Sequence, residues 1–310
     1  MKTVKAVAPY SHGINFKMQV YDAWVKTGGQ TMKGHYPWRM FHRFAFNHEL
    51  PTIHKSKDIA QLRFVEPVSI NFDTFPDYAR YEIIPFVWDC WPGYFDKTCE
   101  WFKRHEVRTA IFTSSQTAER MRQRFPDMNI YWCPEGIDTS RYSAGKELND
   151  RHIDVLEFGR TNETVFKAAL PYGIKHICTM QNGKYIYTNE ELFRAMGEAK
   201  VTLTLPRSIT QPETAGDIET LTQRYWECML SRMVMVGHAP KELIEFIGYN
   251  PVIEIDFENP NEQICNILQH INDYIDLTNK NRETALLKGD WLARMQGIKG
   301  FLTQSGYKIS

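Results

Sequence analysis

The chain has 310 residues, with 37 Lys and Arg against 37 Asp and Glu, so its formal net charge is zero. Hydrophobic residues make up 43% and charged residues 24%, close to the average for a soluble globular protein, which excludes intrinsic disorder and fibrous or collagen-like folds. The length fits two domains or one large one, and no apolar run approaches the ~18–20 residues that span a bilayer.

The first residues, Met1 to Gly13, hold only a short apolar stretch, Val4 to Ala8, which is not a signal-peptide pattern. The six cysteines, at 90, 99, 133, 178, 228 and 265, form no C-x-x-C pair. That spacing suits neither a disulfide framework nor a zinc site and reads as reduced, cytosolic thiols. Zero net charge conceals an asymmetry: residues 1–60 carry nine Lys or Arg against three acids, and the remainder is acidic by the same margin. Such polarity can place anionic ligands at one end of a molecule. A pI of about 7.1 and the lack of a binding module argue against nucleic acid as the partner.

Strand and helix signals alternate along the chain, the pattern of α/β architecture. Thr3–Ala8 reads as a strand and 16–26 as an amphipathic helix with Val20, Ala23 and Trp24 at helical spacing, stopped by Gly28-Gly29. Tyr81–Trp88 reads as a buried strand weakened by Pro85, 94–105 as a helix, 109–113 as a strand, and Ser114 or Ser115 as the cap of a helix to about Arg124. A strand over 129–132 leads into the loop Cys133-Pro134-Glu135-Gly136-Ile137-Asp138. Residues 140–151 are polar with no apolar period and read as a linker. Beyond them the alternation restarts: strands near 154–158, 175–179, 201–205, 233–236 and 252–255, and helices near 163–170, 189–199 with an Asn cap, 222–231 and 240–247. The last fifty residues read as mostly helical. Two successive α/β halves is the economical reading.

The stretch from Val201 to Pro240 carries the most chemistry. A strand feeds a long polar loop, then a helix with Arg224 and Glu227, and Glu219 stands eight residues before Glu227. On one continuous helix eight residues make a little over two turns, and both carboxylates share a face. If the first turn is unwound, Glu219 sits at the helix mouth, where amide groups and the helix dipole receive phosphate.

In this order the segments resemble the GT-B-fold glycosyltransferases, above all the retaining type with a C-terminal E-x7-E region. Val155-Leu156-Glu157-Phe158-Gly159-Arg160 is similar to the strand ending in Gly-Arg that opens the second domain of that family. Leu205-Pro206-Arg207-Ser208 resembles its strand–Pro–Ser loop, and Glu219 through Ser231 with Met233 to Gly237 its Glu–helix–strand element. Residues 130–138 resemble the strand and Pro-x-Gly-x-Asp loop that end its first domain, and 289–294 a terminal helix that crosses back. The resemblance covers about 109–256 well and is thin over 1–80.

It implies two Rossmann-like domains facing each other across a cleft: an acceptor-side domain over 1–145, a nucleotide-sugar-binding domain over 146–288, and a terminal helix over 289–310. It also implies transfer of a sugar from a nucleoside diphosphate to a glycan or lipid-linked acceptor, in surface polysaccharide synthesis, on the cytoplasmic side. By position Glu227 would accept hydrogen bonds from the ribose hydroxyls, Arg160 would face the diphosphate, Arg224 would add positive charge one turn from Glu227, and Gly159, Arg207 and Gly13 would complete the donor-binding set. Gly13 would be the single glycine of the first domain's turn. Glu219 would lie against the donor sugar, and Asp89 would be an acceptor-facing carboxylate, unless it caps the helix that follows. Lys167, seven residues after Arg160, falls mid-helix. No cofactor and no metal are expected, since the sequence has no Asp-x-Asp motif and its ten histidines are scattered. Residues 33–48 combine Lys33, Arg39 and Arg43 with Tyr36, Trp38, Phe41, Phe44 and Phe46, which suits either a first-domain core or peripheral contact with an anionic membrane. A nucleotide-sugar epimerase of the same fold and a non-catalytic binding module are the alternatives.

Overall fold

The computed structural model describes residues 1–9, 16–34, 55–159, 165–166, 170–181, 184–185 and 187–309. The chain divides into two compact units, one of Met1–Ile137, Gln211–Leu221 and Trp291–Ser310, the other of Asp138–Thr210 and Thr222–Asp290. Each is an open parallel sheet with helices.

In the first unit the strands are β1 (Lys2–Val7), β2 (Thr31–Met32), β3 (Ile59–Val65), β4 (Glu82–Val87), β5 (Thr109–Phe112) and β6 (Asn129–Trp132), with the C-terminal strand Tyr307–Lys308. They form a seven-stranded sheet in which the C-terminal strand and β2 both lie beside β1, and β3, β4, β5 and β6 follow on its other side. Among the described residues all pairings in this sheet are parallel. Residues alternate between two cores, as a period of two requires. Ile84, Phe86 and Trp88 join the cluster of Trp24, Phe64 and Trp291, whereas Ile83 and Val87 join that of Trp101, Phe102 and Phe112. Burial on both faces is why β4 reads as an apolar run, whereas β3, interrupted by Gln61 and Arg63, was not foreseen as a strand. Pro85 is tolerated because β4 pairs with β5 only at Phe86 and Val87, after the residue that lacks an N–H. The helix Trp291–Gln304 packs its Trp291, Met295, Ile298 and Leu302 into the first cluster with the helix Phe16–Lys26. Inside the sheet, Arg63 is paired with the fully buried Asp77 at 3.3 Å, and Gln61 Nε2 donates to the same carboxylate at 3.1 Å.

The second unit holds β7 (Ile153–Glu157), β8 (His176–Cys178), β9 (Met180–Gln181), β10 (Lys184–Tyr185), β11 (Ala199–Thr204), β12 (Val234–Gly237) and β13 (Ile253–Glu254). Five of them form a parallel sheet in the order β13-β12-β11-β7-β8, while β9 and β10 make a separate antiparallel pair. The chain leaves β7 outward to β8 and returns on the far side of β7 to β11. That reversal is a topological switch point, and the crevice at the carboxyl ends of the two strands is where open α/β sheets take ligands. Val155, Val201, Leu203, Val234 and Val236 carry the core. A Cβ at Gly237 would come within 1.9 Å of the Thr204 carbonyl, so glycine there lets β12 end tightly against β11.

Two local expectations change. The helix Asn189–Gly197 is capped by Thr188, not by Asn189: Thr188 Oγ1 accepts from the Glu191 N–H and the Glu191 carboxylate accepts from the Thr188 N–H. Residues 140–151 are a packed segment, with Tyr142 and Leu148 buried. Arg151, also buried, donates to the carbonyls of Ala144, Lys146, Ala199 and Arg232. The expected helix over 163–170 lies largely outside the described residues, as do Lys167 and the stretch 35–48. No described helix is long and apolar enough to cross a membrane, and all six cysteines are free.

Candidate functional site

In the second unit the predicted residues gather at the switch point. Gly159 follows the end of β7, and its φ of +78° is one that residues with a side chain rarely adopt. A Cβ on Gly159 would meet Arg224 Nη2 at 1.9 Å, so the guanidinium rests against this backbone turn. The same guanidinium lies 5.4 Å from the centre of the Phe158 ring. Arg207 stands across the switch point, in the short helix that follows β11 and Pro206. Arg160 lies outside the described residues.

Arg224 and Glu227 sit on the helix Gln223–Leu230, whose Tyr225, Trp226, Cys228, Met229 and Leu230 are buried. Glu227 is half-buried, one turn from Arg224. Tyr142 donates its hydroxyl to Glu227 Oε1 at 2.8 Å, while Oε2 has no hydrogen-bond partner among the described residues. Burial pushes the Glu227 carboxyl above its ordinary range, against the pull of the Tyr142 hydrogen bond and the nearby charges of Arg224 and Arg141. Tyr142 is itself pushed up, first by burial and then by the carboxylate it faces. The result is a carboxylate held in one orientation with a free oxygen.

Several residues at this edge were not foreseen. Glu157, buried at the end of β7, faces His176 Nε2 at 2.7 Å; a carboxylate inside the apolar run Val155-Leu156-Glu157-Phe158 was the available signal. His238, directly after β12, pairs through Nδ1 with Glu254 at 2.8 Å, and its carbonyl accepts from the Tyr225 hydroxyl at 2.7 Å. Tyr142 had no such signal, because its neighbours in sequence are polar.

Glu219 belongs to the first unit, and the shared helical face expected for Glu219 and Glu227 does not form. The helix starts at Gln223, and Glu219 precedes it in irregular chain. Residues 211–221 dock on the first unit at the carboxyl ends of β4 and β5. Ala215 and Ile218 pack on Trp91, Arg120 Nη2 reaches both carboxylate oxygens of Asp217 at 2.7 Å, and Gln116 Nε2 donates to the Asp217 carbonyl at 2.9 Å. The Glu219 N–H donates to Gln116 Oε1 at 2.7 Å. Asp89 lies at the end of β4, exposed, with a φ of +50°. It is not a helix cap, because the helix Pro92–Arg104 is capped at Trp91, whose N–H bonds the Asp89 carbonyl at 2.9 Å. Asp is one of the few residues with a side chain that adopts this conformation readily, and Glu106 and Arg232 share it. Gly13 lies outside the described residues. Among the described residues no three His, Cys, Asp or Glu side chains gather as a metal site.

No protein-family model matches the sequence, and no curated protein matches it. Solved structures do. HepE of Anabaena, in complex with UDP and glucose, matches over 98% of this chain and 100% of its own, with a TM-score of 0.65 at 9% identity. The sucrose-phosphate synthase of Thermosynechococcus elongatus matches over 98% of this chain and 99% of its own, with a TM-score of 0.60 at 11% identity. AviGT4, a glycosyltransferase involved in avilamycin A biosynthesis, matches over 99% and 100%, with a TM-score of 0.52 at 12% identity. Identities this low speak for architecture alone, and the chain has the α/β fold of these proteins, the GT-B fold that its motifs resemble.

Proposed function

We propose that this chain is a glycosyltransferase that takes a sugar from a nucleoside-diphosphate donor and passes it to a glycan or lipid-linked acceptor without a metal ion. The observation that carries the reading is the switch-point edge of the second unit, where Arg224 rests on Gly159 and Glu227 keeps a free, oriented oxygen. HepE, with the same fold, is solved with UDP and with UDP-glucose, which favours uridine diphosphate as the nucleotide.

Glu227 Oε2 would accept from the ribose hydroxyls, the task of a fixed carboxylate. Breaking the bond between the anomeric carbon and the phosphate oxygen builds negative charge on the departing diphosphate. Arg224, Arg207 and Arg160, with the backbone amides after β7, would stabilise that charge. These cations replace a metal in the leaving-group role. Glu219 would face the donor sugar and Asp89 the acceptor hydroxyl, with retention of configuration. The setting we propose is surface polysaccharide synthesis on the cytoplasmic side of a membrane, with residues 33–48 as the peripheral contact; co-sedimentation with anionic vesicles that survives high salt, or none at all, would remove that contact.

Calorimetry against UDP, GDP, ADP and TDP tests the nucleotide site. No binding to any of them sinks the reading. Turnover of a UDP-sugar only in the presence of an acceptor supports transfer, whereas conversion to an epimer without acceptor replaces it with an epimerase.

A further inference from the structure

The second unit also contains a cavity of about 680 Å³ that none of this chemistry uses. Its wall includes Ile153, the first residue of β7, and Gly197 and Glu198, which lead into β11. It therefore opens at the amino-terminal edge of the five-stranded sheet, the end opposite Gly159 and Arg207. A volume within roughly 300–1,000 Å³ is that of a small-molecule site.

Charge in this wall is unevenly matched. Glu198 is already engaged, with Lys146 Nζ at 3.0 Å and His152 Nδ1 at 2.9 Å. Glu191 Oε2 accepts from the Thr188 N–H at 2.7 Å. The guanidinium groups of Arg141 and Arg194, both exposed in the cavity wall, pair with no carboxylate among the described residues. Arg141 lies 5.1 Å from the centre of the Phe193 ring, and Arg194 Nε reaches only the helix carbonyl of Glu190, at 3.5 Å. Neither guanidinium closes a direct ion pair among the described residues, although Arg194 acts on the charge of Glu191 and Arg141 on that of Glu227; two such groups in a concave wall suit a phosphate or carboxylate, which each can hold through two parallel N–H donors. The lone pairs left on Glu191 and the Ser143 hydroxyl suit hydroxyl partners, and Tyr187 and Phe193 add ring surface for the C–H face of a sugar. A bare inorganic anion would leave the hydroxyl-seeking groups unmatched, and a neutral sugar would leave both guanidinium groups unmatched.

We propose that this cavity is a second binding site, for a saccharide that carries a phosphate or carboxylate group. Phe193 meets Tyr142 edge-on with ring centres 4.9 Å apart, so an occupant stands one ring away from the hydroxyl that holds Glu227.

Calorimetry on the full chain tests it, with UDP held in excess so that the nucleotide end is filled. The probes are glucose 6-phosphate, glucuronate, glucose and inorganic phosphate. At least one of the two anionic sugars binds, at least tenfold tighter than glucose or phosphate, and the stronger of the two identifies which anion the site takes. Arg194→Ser and Arg141→Ser each weaken that binding at least tenfold, the loss of a charge-assisted contact, with circular dichroism unchanged. The proposal is overturned if neither anionic sugar gives heat, if glucose or phosphate binds as tightly, or if both variants keep full affinity. Binding that appears only when UDP is withheld also overturns it, since the sugar then occupies the nucleotide end.

Discussion

The Arg224 guanidinium occupies the space that a side chain on Gly159 would need, 1.9 Å from where its Cβ would stand. Glycine is thus required twice at this turn: for a φ of +78° and for the approach of a cation. The end of β7 and the helix Gln223–Leu230 are held together through this contact, although 65 residues separate Gly159 and Arg224 in sequence.

Gly159→Ala is therefore expected to displace Arg224 and to strain the turn, lowering stability by roughly 1–2 kcal/mol. UDP affinity falls in the same variant. Because the two residues share one contact, the losses in Gly159→Ala and Arg224→Ala do not add in the double variant. Additive losses in UDP affinity across the cycle would show that Arg224 acts independently of the turn.

Glu227→Ala is expected to weaken UDP binding by about 10–150-fold, the loss of a charged hydrogen-bond partner worth ~1.5–3 kcal/mol, with the fold intact. An unchanged dissociation constant would take Glu227 out of the nucleotide site.

The same carboxylate sets a pH dependence. Burial raises the Glu227 pKa, so the residue takes up its proton at a higher pH than an exposed glutamate. Only the ionised form accepts from two ribose hydroxyls. UDP affinity is therefore full above the raised pKa and is lost as pH falls through it, and binding near that pH releases a proton. Tyr142→Phe removes a hydrogen bond that lowers the pKa, so the loss moves to still higher pH. Affinity profiles of the two proteins, with proton release read in buffers of different ionisation enthalpy, check this. Identical profiles would mean that Tyr142 does no more than fill space.

How much of this could be read from residues alone depended on how local each cause was. Buried strands such as 82–87 and 201–204 announce themselves through apolar content, and the Gly159, Arg224, Glu227 set through motif order. Other features are set by partners distant in sequence. Tyr307–Lys308 is a strand only because β1 lies beside it. Residues 140–151 look like a linker because Tyr142, Leu148 and Arg151 follow no helical or strand period, yet each is anchored by a different neighbour. The eight-residue spacing of Glu219 and Glu227 was visible, but spacing does not say where a helix begins; here it begins at Gln223, and Glu219 is left to the preceding chain.

Metal independence has a direct check. Turnover in EDTA is expected to equal turnover in magnesium, if Arg224 and Arg207 supply the positive charge at the diphosphate as proposed. Complete loss in EDTA, restored by adding the metal, would contradict that assignment.

The placement of Glu219 separates chemistry from binding. Its backbone N–H is held by Gln116 Oε1, and Gln116 also donates to the Asp217 carbonyl, so one side chain fixes both ends of the short segment that presents the carboxylate. The nearby Arg120–Asp217 pair is solvent-exposed on the Asp217 side, at 70%, and exposed ion pairs contribute little. Gln116 is thus one polar tie of this segment, through two hydrogen bonds. If Glu219 faces the donor sugar during transfer, Glu219→Gln lowers kcat by about 10²-fold or more, in line with losing a group that acts on the transition state, while UDP affinity stays as it was. Gln116→Leu leaves the carboxylate present but loosens the backbone that carries it, so kcat falls by a smaller factor with UDP affinity again unchanged. Asp217→Asn, which weakens only the exposed pair, leaves kcat within about twofold. A purely structural role for Gln116 predicts something different, a lower Tm with kcat per folded molecule preserved. Measuring kcat, UDP affinity and Tm on the three variants distinguishes the two, and equal kcat in wild type and Glu219→Gln would remove Glu219 from the reaction.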